Sequence, residues 1–120
     1  MRLFLSFLLL LVLTTYSYSQ QVKLVEEKTA FSEKVKTGEI NLELPASITA
    51  EEVEKSASYY TDYFSVNFDE DTRVITITMK NNSPKKRRVI MRFLYSCGMK
   101  TVDVGSEEIS IHDFYDNYLK

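Results

Sequence analysis

Cysteine is almost missing from this chain of 120 residues: Cys97 stands alone, so no intrachain disulfide can form and the fold must rest on packing. Glycine occurs only at Gly38, Gly98 and Gly105, so no Gly-rich loop exists to cradle a phosphate. Histidine occurs once, at His112, and zinc and copper sites draw on paired ligands at fixed spacing. Charge of one sign is also scarce. A formal net charge of −2 argues against general nucleic-acid binding, which needs a basic surface. There is no repeat at solenoid spacing and no low-complexity tract.

What is present begins with the leader. Arg2 precedes Leu3-Phe4-Leu5 and an apolar run from Phe7 to Leu13, followed by small and polar residues with Ser17 and Ser19 at the spacing a signal peptidase reads. The apolar core is about half the ~20 residues that a membrane span requires. Residues 1–19 therefore read as a signal peptide cleaved before Gln20, which places the protein in the periplasm or outside the cell. No Cys follows the apolar core, so no lipid anchor is expected, and no stable membrane anchor remains after cleavage. Loss of Arg2 takes the net charge from −2 to −3.

Residues 20–37 are polar and charged without a sustained period, and read as an N-terminal arm in which Val22, Leu24 and Val25 form at most a short strand. Residues 38–120 carry the domain. Ile40, Leu42 and Leu44 alternate with Asn41 and Glu43, the period of a half-buried strand that Pro45 ends. Thr49-Ala50-Glu51-Glu52 is a capping box, and Ile48 and Val53 stand where a hydrophobic staple forms, so a helix starts at Ala50. Phe64, Val66 and Phe68 mark a strand, Asp69-Glu70-Asp71-Thr72 a turn, and Arg73 to Met79 the return strand of a hairpin. Ser83-Pro84 then caps a second helix whose apolar face holds Val89, Ile90, Phe93, Leu94 and Cys97, with Gly98 as its αL terminator. Met99 to Val104 is a last strand. Glu107 to Ile111 adds a further strand, and Asp113 to Tyr118 a terminal helix. The succession is β-α-β-β-α-β. It predicts an α+β fold of the ferredoxin-like, split βαβ type: a four-stranded antiparallel sheet in order 4-1-3-2 with both helices on one face.

Residues 38–104 resemble the heavy-metal-associated domain, the ferredoxin-like module of copper chaperones and metal-pumping ATPases. The likeness lies in the strand Ile40–Leu44 before a Glu- and Val-rich helix, in the hairpin of Phe64-Ser65-Val66-Asn67-Phe68 with Arg73–Met79, and in the junction Ser96-Cys97-Gly98-Met99-Lys100-Thr101-Val102. The resemblance implies a metal site of the form Cys-x-x-Cys in the loop after the first strand. That loop is Pro45-Ala46-Ser47-Ile48-Thr49 here, with no sulfur and no imidazole, so no metal-ligating residue carries over. Kinship of this kind keeps a scaffold and loses its chemistry.

Other chemistry is equally sparse. Cys97, Met79, Met91, Met99 and His112 are the soft ligands available, and Cys97 reads as a small core residue. His112-Asp113 is adjacency, not triad geometry. The acids at Asp69–Asp71 and at Glu51, Glu52 and Glu54 suit a solvated turn and a helix start. Leu44-Pro45-Ala46-Ser47 lacks the Gly-rich, Arg-bearing anion loop of a ferredoxin-like acylphosphatase. No catalytic residue, cofactor or metal is expected.

Two features depart from a bland surface. Lys85, Lys86, Arg87 and Arg88, with Arg92, set cations at a helix start, against the macrodipole. Either nearby acid, such as Asp69 to Asp71, or an anionic ligand compensates them. Tyrosines are numerous, and Tyr59 and Tyr63 join the basic run as the candidate interaction patch, since Tyr covers contact area at low entropic cost. The expectation is a non-enzymatic exported module that binds a macromolecule, a protein rather than nucleic acid. The alternative is a metal-handling protein derived from the resembled family.

Overall fold

Alternation of apolar and polar residues organises the sheet, and the computed structural model of the protein describes residues 21–120. The expected leader, residues 1–19, lies outside the described residues. The order is β1 (Gln21–Leu24), α1 (Lys28–Lys36), β2 (Glu39–Glu43), α2 (Ala50–Ala57) continued by a 3-10 turn (Ser58–Tyr60), β3 (Phe64–Asp69), β4 (Val74–Met79), α3 (Pro84–Arg87), α4 (Val89–Ser96), β5 (Thr101–Asp103), β6 (Glu108–Ser110), α5 (Ile111–Phe114) and a π turn (Tyr115–Leu119). Helices and sheet make an α+β domain, as expected.

The helix signals hold at the atomic level. The Thr49 hydroxyl accepts from the Glu52 amide at 3.2 Å, and Ile48 and Val53 are both buried beside it. Ser83 caps α3 in the same way, accepting from the Lys86 amide at 3.2 Å, with Pro84 in the first turn. Gly98 ends α4 at φ 90°, a left-handed conformation that a side chain at Cβ disfavours.

The sheet departs from the expected plan. It has six strands in the order β3-β4-β2-β1-β5-β6, and it is mixed rather than antiparallel. β2, β4 and β3 stand beside one another as the split βαβ pattern requires. The last expected strand does not reach β2, because β1 lies between them. β1 runs antiparallel to β2 (Lys23↔Glu43, Leu24↔Leu42) and parallel to β5 (Val22↔Val102). The residues expected to form a polar arm thus supply a central strand and a helix. Val22 is fully buried, and Phe31 and Val35, one helical turn apart on α1, are buried too. Two residues are the whole apolar stripe of α1, which is why no sustained period shows in its sequence. Short loop closure also favours β1 over the distant β5 as the neighbour of β2.

One side of the sheet is apolar. Val22, Ile40, Leu42, Ile75, Ile77, Phe64 and Val102 are at most 1 % exposed, and they share a single core with Val53, Ile90, Phe93 and Leu94 of α2 and α4. The C-terminal strand and helix expected after Val104 are present and close this core. Phe31 meets Phe114 at 5.7 Å and Tyr118 at 6.1 Å between ring centroids, so α1 and the chain end seal each other. The other side is polar, with Lys23, Ser65, Asn67 and Thr78 exposed. Its one buried position is Asn41, whose amide donates to Glu26 and Glu39 at 2.9 Å and accepts from Thr76 at 2.8 Å. Lys34 of α1 pairs with both acids at 3.5 and 3.4 Å. The Asn41 bond and the Lys34 ammonium hold the Glu39 carboxyl below its ordinary pKa, and the Glu39 bond chiefly raises that of Lys34.

Because α1 belongs to the core, Phe31→Ala is expected to cost about 3–5 kcal/mol in urea unfolding. A loss below 1 kcal/mol would return this helix to the status of a loose arm.

Candidate functional site

Five of the seven residues expected to form an interaction patch do come together. Tyr63, Lys85, Lys86, Arg88 and Arg92, with Val89, line a surface groove of about 360 Å³. Tyr63 stands at the entry to β3, and the basic residues come from α3 and the start of α4. The Lys86 ammonium lies 5.3 Å from the centre of the Tyr63 ring, a cation–π contact that orders one wall. Lys85, Arg88 and Arg92 are exposed. None of the four cations has an ion-pair partner among the described residues. Among the described residues no carboxylate stands within ion-pair distance of these cations.

Arg87 leaves the patch. Only 8 % exposed, it donates through Nε to the Leu119 carbonyl and through Nη1 to the Asn82 side-chain oxygen at 2.5 Å. Asn82 in turn donates to the Val35 and Lys36 carbonyls at 3.0 Å, so one guanidinium ties α3, the end of α1 and the chain terminus together. Burial lowers its pKa, with the charge retained. The signal was in the sequence: Arg87 lies three and seven residues before Ile90 and Leu94, on the apolar face of the helix. Tyr59 also stands apart. At 71 % exposure it is the most open of the large apolar side chains among the described residues, but it does not line the groove.

The loop after β2 is held by a second arginine. Arg73 donates through Nη2 to the carbonyls of Pro45, at 2.6 Å, and Ile48, and its guanidinium lies 5.0 Å over the Phe68 ring. The loop Pro45–Thr49 is therefore braced by a fixed cation. Arg73 itself takes φ 65°, an unusual value for a residue with a Cβ. Its place in register with Ile75 and Ile77, two and four residues on, was the available sign that it points inward.

The soft ligands are dispersed. Cys97 is buried at the end of α4, where desolvation pushes its thiol up despite a hydrogen bond with Ser56 of α2. Met79 and Met99 are core residues. His112, Asp113 and Asp116 offer three ligand atoms within 4.8 Å of one another, and the His112 Nδ1 stands 3.3 Å from Asp116. All three are exposed, so water competes for each of them. Among the described residues no helix is long and apolar enough to cross a membrane. Comparison with protein-family models, with curated proteins and with solved structures finds no match to this chain.

Two outcomes follow from this placement. Arg87→Ala is expected to lose about 2–3 kcal/mol of stability by stranding buried acceptors, while Arg88→Ala changes the urea midpoint little. The Cys97 thiol is expected to react with a disulfide reagent at pH 8 only as the protein unfolds; rapid labelling of the native state would show an accessible thiol instead.

Proposed function

We propose that this domain is a non-enzymatic binding module of an exported protein, and that the groove beside Tyr63 takes an acidic segment of a protein partner. The observation that carries the reading is the set of unpaired cations, Lys85, Lys86, Arg88 and Arg92, gathered on one groove. Like charges gathered on one groove oppose one another at close range. Carboxylates arriving from outside relieve that opposition, and the Tyr63 ring supplies an amphipathic surface beside them. Basic side chains on short helices, with a single ring to stack on, suit a carboxylate chain better than bases read from a sheet.

Export belongs to the same proposal. Cleavage before Gln20 leaves β1 whole, whereas removal of a few residues more would take a strand from the middle of the sheet. The framework from β2 to β5 fits a ferredoxin-like unit into which β1 has been inserted, and descent from the heavy-metal-associated family would account for its order of elements. Loss of the thiolate loop in such a lineage leaves the surface, not a metal, as the means of recognition.

A labelled peptide of alternating Glu and Ser provides the test, followed by fluorescence anisotropy at low salt. Wild-type protein is expected to bind it with an affinity that falls as salt rises. Arg88→Glu with Arg92→Glu is expected to weaken binding at least about ten-fold while leaving the fold intact. Binding unchanged by that reversal would end the proposal. Preference for anionic vesicles over the peptide would move the groove to a membrane surface.

The metal-handling alternative is separated by calorimetry with copper(I) and zinc. Tight stoichiometric binding that Cys97→Ala abolishes would replace the docking reading.

A further inference from the structure

We propose that two copies of this protein pair through the outer edge of β3, antiparallel about a twofold axis at Val66, to make one continuous sheet. This goes beyond the acid-binding groove and rests on the backbone edge of β3, sharing only Tyr63 and Lys86 with that groove. β3 ends the sheet at one side. Its register with β4 runs unbroken from Phe64↔Met79 to Asp69↔Val74, so no bulge turns the edge away.

The direction of the free backbone groups can be worked out. The Lys80 amide donates to the Tyr63 carbonyl at 3.0 Å, which makes Tyr63 and Lys80 a hydrogen-bonded pair at the start of the ladder. Such pairs alternate along antiparallel strands. Ser65, Asn67 and Asp69 therefore turn their N–H and C=O groups towards β4. Phe64, Val66 and Phe68 turn theirs to the open edge. Natural proteins blunt such edges with proline, lysine or a bulge, and Phe64–Asp69 has none of these. Beside the edge runs a groove of about 210 Å³ whose floor is apolar, from Val53 and Ala57 of α2 and from Val66 and Phe68, and whose rim carries Glu54, Asn67 and Glu70.

Charge selects a second copy as the occupant. Asp69, Glu70 and Asp71 are exposed at one end of the strand. At the other end Lys80 and Lys86 flank Tyr63 and outnumber Asp62, the one acid exposed there. Neither group has an ion-pair partner among the described residues. Antiparallel pairing sets the acidic end of each copy against the basic end of the other. With the axis at Val66, each Val66 exchanges both backbone hydrogen bonds with its symmetry mate, and Phe64 does so with Phe68 of the second copy. Ser65 then faces Asn67 on the polar side, and the apolar groove floors meet beside the two α2 helices. The opposite edge, β6, is only 3 residues long, so the arrangement closes as a dimer and does not propagate.

Sedimentation equilibrium of the purified protein at low salt, across the micromolar range, tests this. Wild type is expected to rise from the monomer towards twice the monomer mass, and to fall back as salt is added. Val66→Pro removes an N–H that the monomer does not use and that an edge strand tolerates losing, so the variant is expected to keep its circular dichroism and remain monomeric. Glu70→Lys with Asp71→Lys, and separately Lys80→Glu with Lys86→Glu, are each expected to weaken pairing about ten-fold, and an equimolar mixture of the two is expected to regain it. This swap decides the matter even if the proline variant fails to fold. A wild type that stays monomeric overturns the proposal, as does a dimer that Val66→Pro leaves at full strength. A monomer whose β3 amides become protected by an extended apolar peptide overturns it too, and assigns the edge to a foreign strand.

Discussion

The inward residues of the central strands, Val22, Ile40, Leu42, Ile75 and Ile77, surrender their contact with water to a cover of helices, and nothing covalent assists them. Each such side chain contributes about 1.5–3 kcal/mol when fully buried, which stands in for the disulfides that hold many small domains together. The remaining organisation follows from this one-sided burial. Register is set because a slip of one residue would turn the apolar face to solvent. The outward face is left polar, and the strand edges are left with backbone groups that no helix satisfies.

Two arginines divide what looks like a uniform supply of positive charge. Arg73 and Arg87 are spent inside the structure on backbone carbonyls, one bracing the loop after β2 and the other joining α3 to the chain end. Carbonyl oxygens at the ends of short helices and loops would otherwise be orphaned as the core closes over them. A planar guanidinium holds several donors in a fixed fork and so reaches more than one of them with little further loss of freedom, whereas lysine presents a single compact ammonium on a flexible stem. The cations that remain outside, on the groove beside Tyr63, have no such internal duty. The contrast between the two sets is what the proposed docking role of the groove rests on.

The acidic turn Asp69–Asp71 and the basic residues around Tyr63 lie at opposite ends of one edge strand, too far apart to neutralise each other within a monomer. Helix α1 faced a comparable problem and solved it internally: Lys34 binds Glu26 and Glu39, and Asn41 completes the set. On the β3 side no such pairing is formed among the described residues, and the two proposals, an acidic partner in the groove and a second copy at the edge, each supply the complement from another molecule. Both readings draw on uncompensated charge beside an exposed strand, and they make separate demands on side chains and on backbone.

The local elements were legible in the amino-acid sequence because their causes are local. Thr49, Ser83 and Pro84 start helices through bonds and dihedral preferences spanning a few residues, Gly98 stops one, and the alternation from Phe64 to Met79 sets a hairpin without reference to distant chain. The α+β class and the gathering of Lys85, Lys86, Arg88 and Arg92 near Tyr63 follow from these. Only the tertiary structure decided that β1 enters between β2 and β5, that Phe31 and Val35 make α1 part of the core, and that Arg87 points inward while its neighbours do not. Each of those outcomes depends on which remote residues compete for the same edge or the same carbonyl. Periodicity in a single segment carries no record of that competition, since the winning contact is decided by surface buried and polar groups satisfied across the whole fold.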